Sequence, residues 1–259
     1  MSEKSAQIIL FTSCKGGVGK STVCANLAMT MAIRGKRVLM IDCDFGNRCL
    51  DIISGLSNEA IYDFSDVISH RVSPERAVVR DKRNKNLSFI ASPLKEAGHI
   101  PVSSFRAAVK YYAACGSYDF VFLDTSGMIG EMLSLCAGVA DTAYIIVSPT
   151  RTAIRAADTT AAFLASKGVT RQRLIVNKAS GKNPEAAKEY VIDIIDESGV
   201  RLIGVVPYSP ELIGAGDDGI LTDELLDEAV TRAFDNIARR TSGENVPLFY
   251  KIKKLRRIR

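Results

Sequence analysis

Cys14-Lys15-Gly16-Gly17-Val18-Gly19-Lys20-Ser21-Thr22 lies between an apolar run, Ile8 to Phe11, and an amphipathic segment, Val23 to Ile33. The order is strand, glycine loop, helix. A nucleotide phosphate needs backbone N–H groups pointing inward, a helix N-terminus behind them and no Cβ atoms in the way. The loop Gly16-Gly17-Val18-Gly19 meets that need, its glycines supplying the room. Lys20 then reaches the β- and γ-phosphates, Ser21 ligates Mg²⁺, and Thr22 bonds a phosphate oxygen at the first helical turn. A dinucleotide-binding fingerprint is disfavoured, because it would need glycine where Thr22 stands. An ordinary glycine-rich turn has no use for Lys-Ser-Thr at the start of a helix.

Outward from this loop, a buried strand from Arg37 to Ile41 ends in Asp42-Cys43-Asp44-Phe45-Gly46. Carboxylates at the C-terminal tip of a parallel strand beside a phosphate loop face the ligand crevice; without such a loop, acidic residues at a strand end are often just solvated turn formers. The run Asp119 to Asp124 is a second such strand. Its apolar residues bury it and Asp124 meets the water shell of Mg²⁺ at the tip. Further strands are expected at Leu87–Ala91, Thr142–Val147, Arg173–Val176 and Leu202–Pro207. Helices are expected at Leu50–Leu56, Ile61–Ile68, Phe105–Cys115, Arg151–Lys167, Pro184–Glu197 and Glu224–Arg240. Strands alternating with helices predict a single α/β domain: a mainly parallel sheet, covered on both faces by helices, of the P-loop NTPase class.

The 259 residues suffice for one large core, and 47% hydrophobic with 24% charged residues is an ordinary globular composition. The start, Met-Ser-Glu-Lys-Ser-Ala-Gln, carries no apolar signal core, so a cytoplasmic location is expected. Six cysteines without a Cys-x-x-Cys pair read as reduced thiols. His70 and His99 lack metal-ligand spacing. The net charge of +5 is unevenly placed: residues 241–259 hold six basic residues and one acidic one, leaving the body neutral. Residues 1–240 are therefore read as the nucleotide-binding domain, 241–247 as a flexible linker, and 248–259 as an amphipathic basic tail. On a helical wheel Leu248, Ile252 and Leu255 form one stripe opposite Lys253, Lys254 and Arg257. Such a segment suits anionic lipid at an interface; a merely solubilising terminus and nucleic-acid binding are the competing readings.

The early lysine, Lys15, ahead of the paired glycines is similar to the signature of the deviant Walker A (MinD/ParA) family of ATPases. Asp42-x-Asp44-x-Gly46 followed by Arg48, Leu50 and Asp51 resembles the switch I of its MinD-type members, and the likeness extends from Ile8 to the tail. Cys14 stands where the family has glycine, Cys49 where asparagine is usual, and Thr125-Ser126-Gly127 where a proline is usual. The resemblance implies an ATP-dependent homodimer in which Lys15 reaches the partner's nucleotide. By the same likeness Lys15, Lys20 and Asp44 are catalytic, Asp44 positioning the attacking water. Ser21, Asp42 and Asp124 serve Mg²⁺, while Asn177 and Pro207 contact adenine. It further implies a membrane-targeting tail, reversible association with the inner face of the cell membrane, and partners of the MinC (division inhibitor) and MinE (activator) types. A DNA-partition ATPase of the ParA type, a flagellar-placement ATPase, and a module that binds ATP without hydrolysing it are the alternatives; the neutral body disfavours nucleic acid. A cluster shared through Cys115 and Cys136, as in the nitrogenase iron protein, fits the spacing poorly.

Overall fold

A computed structural model describes residues 5–13, 15–95, 98–179 and 184–248. In chain order the elements are β1 (Gln7–Thr12), α1 (Lys20–Ile33), β2 (Val38–Cys43), α2 (Leu50–Ile53), α3 (Phe64–Ile68), a 3₁₀ turn (Pro74–Ala77), β3 (Val79–Arg80), β4 (Leu87–Ile90), α4 (Val102–Ala114), β5 (Phe120–Thr125), α5 (Glu131–Ala137), β6 (Thr142–Val147), α6 (Arg151–Ser166), β7 (Gln172–Ala179), α7 (Pro184–Ser198), β8 (Arg201–Pro207), α8 (Pro210–Asp217) and α9 (Glu228–Thr241). The eight strands form one sheet in the order β3-β4-β2-β5-β1-β6-β7-β8. All neighbours run parallel except the edge strand β3, which pairs antiparallel with β4. The expected doubly covered parallel sheet is present.

The strands read as unbroken apolar runs because both of their faces are buried. Ile8, Leu10, Leu39, Ile41, Val121 and Leu123 face one layer, with Phe105 and Val109 of α4 and Leu164 of α6. Ile9, Phe11, Met40 and Phe122 face the other, with Leu27 and Met31 of α1 and Phe234 and Ile237 of α9. Helix α1 departs from the amphipathic expectation: Val23 to Ala32 is buried at every position, polar Asn26 and Thr30 included. It is roofed as well as floored. Thr30 and Thr222 share a hydroxyl hydrogen bond of 2.9 Å, and Arg34 at its end pairs with Asp235 of α9 at 2.9 Å.

Several boundaries differ from the sequence-based expectation, each with a local cause. Helix α1 starts at Lys20, since Gly19 takes a left-handed φ of 84° at the cap. Helix α2 stops by Ile53, where Gly55, also left-handed, meets Gly219; a Cβ on Gly55 would stand 3.0 Å from the Gly219 carbonyl oxygen. Helix α3 begins only at Phe64, because Asp63 and Asp66 close a capping box around its first turn. Asp227 caps α9 by accepting the Ala229 N–H, so residues 224–227 are not helical. The short β3, α5 and α8 were not anticipated.

Residues 241–247 lie against the body. Glu244 pairs with Arg34 at 2.8 Å and Arg239 at 2.7 Å, while Arg240 donates to the carbonyls of Ile203, Val246 and Pro247. Of the basic tail only Leu248 falls among the described residues; 249–259 lie outside them, as does Cys14. Among the described residues no helix is long and apolar enough to cross a membrane.

Candidate nucleotide site

At the C-terminal end of the sheet, β1 runs into the glycine loop and α1 begins at Lys20. Gly17 (φ 75°) and Gly19 (φ 84°) are left-handed, and no side chain caps α1. Its first N–H groups thus lack the usual side-chain acceptor, the arrangement an anion fills. The loop is braced from below. Asn177 Nδ2 donates to the Val18 carbonyl at 2.8 Å, and Lys178 Nζ to the Gly17 carbonyl at 2.7 Å. A Cβ on Gly19 would meet Asn177 Nδ2 at 2.5 Å, so only glycine fits there.

Strands β2 and β5 are adjacent and in register, with Asp42 opposite Asp124. Both carboxylates are fully buried. Asp124 Oδ1 accepts from Lys20 Nζ at 2.6 Å, whereas Oδ2 has no partner. Lys20 also donates to Ser21 Oγ at 3.1 Å. Burial alone would lower the Lys20 ammonium, but the charge of Asp124 and its hydrogen bond hold it above its ordinary value. Asp42 accepts the backbone N–H of Asp44 at 2.9 Å and of Leu50 at 3.3 Å. Desolvation, reinforced by the charge of Asp124, pushes Asp42 up to about 8. Asp44, half-buried, is raised as well, mainly by burial, and accepts from Asn47 Nδ2 at 3.3 Å.

This donor set fits Mg²⁺ carried in by a nucleotide. A buried, orphaned carboxylate oxygen on Asp124 is costly unless something cationic or hydrogen-bonding completes it. Ser21 and Asp42 stand beside it. No cluster of three or more metal-binding side chains exists among the described residues; phosphates and water would supply the remaining Mg²⁺ ligands.

Asn177, Pro207, Tyr208, Leu212, Gly19 and Thr22 line a small cavity of about 120 Å³ next to the loop. Asn177 is buried and its Oδ1 lacks a partner, leaving an acceptor for a polar ring edge. Lys15 is exposed and donates to Thr152 Oγ1 at 3.2 Å across the crevice. Behind it a Cβ on Gly127 would stand 3.2 Å from the Lys15 carbonyl carbon. The segment after Asp124 therefore touches the loop directly.

Three contributors escaped the sequence. Lys178 supports the loop from a left-handed position (φ 59°). Cys49, raised by burial to about 11, makes a side-chain hydrogen bond with Ser21, tying the segment after Asp44 to the loop. Tyr208 walls the small cavity beside the loop. Only the Asn177-Lys178 strand end carried a readable signal. Cys136 is buried against Cys43, while Cys115 is exposed at the opposite end of the sheet; the fold does not bring Cys115 and Cys136 together.

Residues 9–222 match the family described as CobQ/CobB/MinD/ParA nucleotide binding domain. A putative septum site-determining protein MinD from Emiliania huxleyi is 35% identical over 93% of this chain and 89% of its own length. The septum site-determining protein MinD of Bacillus subtilis is 32% identical over 93% of this chain and 91% of its own. Among solved structures, the MinC:MinD cell division protein complex of Aquifex aeolicus superposes with a TM-score of 0.85 at 35% identity, covering 94% of this chain and 98% of that one.

Proposed function

This chain belongs to the CobQ/CobB/MinD/ParA nucleotide-binding family, and from that premise we propose that it is a MinD-type cell-division ATPase. In this reading ATP joins two subunits, residues 248–259 hold the pair to the inner face of the membrane, and the pair recruits a division inhibitor of the MinC type. The observation that carries the ATPase reading is the buried pair of Lys20 and Asp124 beneath an uncapped helix start. Lys20 is held in place by Asp124 at 2.6 Å, and a bound phosphate and metal would compensate the two charges when they part.

Ser21, Asp42 and Asp124 would hold Mg²⁺, which neutralises charge on the phosphates when bound. Asp44 would orient the attacking water; burial raises its carboxyl above the ordinary value, and it accepts from Asn47 Nδ2. Asn177 and Pro207 would receive adenine. Lys15, exposed and bonded to Thr152 Oγ1, would turn from there toward a partner's nucleotide. The exposed Met128 and Ile129 follow Gly127, which packs on Lys15, and form an apolar rim that a second subunit would cover. Flagellar placement is separated from division by the partner: co-purification with a division inhibitor favours the latter.

Equilibrium ATP binding and phosphate release test the site. Lys20→Ala should weaken ATP binding by roughly a hundredfold or more. Asp44→Ala should keep binding but turn over at least about tenfold more slowly. ATP affinity unchanged in Lys20→Ala would sink the assignment.

A further inference from the structure

At the other end of the sheet, where the strands begin, lies a cavity of about 510 Å³ far from the glycine loop. It is built from the start of β2 (Arg37), the β3–β4 hairpin (Arg80, Lys85, Ser88) and the end of α4 with the turn after it (Tyr111, Tyr112, Tyr118). Arg80 and Ser88 are direct partners across the antiparallel ladder, so their side chains share one face. Ser88 hydrogen-bonds Tyr118, giving a polar floor. Tyr112 is fixed by donating to the Pro74 carbonyl at 2.7 Å, and Tyr111 by donating to Glu75.

The basic side chains around this cavity are engaged to different degrees. Arg37 is spent on Asp119 and the Gly116 carbonyl, as Arg34 is on Asp235 and Glu244, and Arg83 on Asp81. Arg80 and Lys85 have no carboxylate partner among the described residues, yet both line a concave surface. Glu75 stays ionised, its carboxyl held below the usual range by the Tyr111 hydroxyl. Arg80 and Lys85 offer the cavity positive charge, and the tyrosine rings offer it apolar surface.

We infer that this cavity binds a phosphate ester, its phosphate paired with Arg80 and Lys85. The volume suits a small ligand or a lipid headgroup. A soluble ester and a lipid headgroup share this chemistry, and the two arms of the test distinguish them. The inference does not depend on the ATPase reading.

The full chain is titrated with glycerol 3-phosphate in the Lys20→Ala background, which removes competition from the glycine loop. It is also co-sedimented, without that substitution, with phosphatidylglycerol or phosphatidylcholine vesicles. Arg80→Ser and Lys85→Ser should each weaken binding roughly tenfold. Arg80→Lys should restore most of the loss, and Glu75→Gln should tighten binding. Thermal melting in the Lys20→Ala background, and ATP affinity at the glycine loop where Lys20 is intact, serve as the checks on folding and should not move. Lys36→Ser with Lys110→Ser, a charge-matched pair outside the cavity, should leave binding intact. Dependence on Arg80 and Lys85 with the soluble probe identifies a small phosphate ester; dependence seen only with phosphatidylglycerol vesicles identifies a lipid headgroup. If the Arg80/Lys85 double variant changes neither assay, or no more than the charge-matched pair does, the inference is overturned.

Discussion

Asp42 is the residue on which stability and chemistry meet. Burial and the neighbouring charge of Asp124 raise it to about 8, against about 3.9 in an unfolded chain. Between those values the folded protein holds a proton that the unfolded chain has released. The stability gained is complete below about pH 3.9 and is lost as pH rises through about 8. Metal-free, nucleotide-free protein should therefore melt at falling temperature from about pH 5.5 to 8.5, and Asp42→Asn should flatten that slope. Parallel melting curves for the two proteins would remove Asp42 as the cause. Gly19→Ala makes a second residue-scale case. It forces a left-handed alanine into Asn177 Nδ2, which should cost about 1–3 kcal/mol and weaken ATP binding, read by thermal melting and equilibrium binding. Much at this scale was legible because loop chemistry is local: Lys20, Ser21 and the two strand-tip aspartates meet as their spacing suggests. Lys178 and Cys49 were not legible, because each acts through a backbone turn or a contact that only the folded chain creates.

At the scale of elements, the buried parallel strands were readable, whereas the two-residue edge strand β3 and the context of the helices were not. An apolar run such as Ile8 to Phe11 declares a doubly buried strand without reference to its neighbours. Helix α1 has the residues of an amphipathic helix but lies buried, because α9, more than two hundred positions later, closes over it. Covering of that kind is a long-range event with no local signature. The closure of α9 on β8 depends on Gly204, where a Cβ would stand 2.3 Å from Ile237 Cγ1. Gly204→Ala should destabilise the fold by about 1–3 kcal/mol through overpacking. Trimming the partner with Ile237→Val should recover part of that loss in the double variant, a coupling that denaturant titration would read. Simple additivity of the two substitutions would show that the strand and helix separate instead of clashing.

For the molecule as a whole, the two ends of the sheet are assigned different tasks, and residues 241–247 join one of them to whatever follows. Composition suggested a loose linker there, since Thr-Ser-Gly-Glu-Asn is turn-forming and polar. The fold holds it instead: Val246 is buried, and Glu244 and Arg240 are engaged. Exposed ion pairs of this type contribute less than about 1 kcal/mol each, so burial of Val246 and the Arg240 contacts to backbone carbonyls should dominate. A chain ending at residue 247 should then melt with the full chain and bind ATP equally well, whereas one ending at 240 should lose about 1–3 kcal/mol. Vesicle co-sedimentation separates this bracing from membrane attachment. Because two basic tails on an ATP-joined pair gain from effective concentration, ATP should promote pelleting of the full chain with anionic lipid, and ending the chain at 247 should abolish it without a change in melting. Nucleotide-dependent pelleting that survives removal of 248–259 would place the membrane contact on the folded body and refute the tail as the anchor.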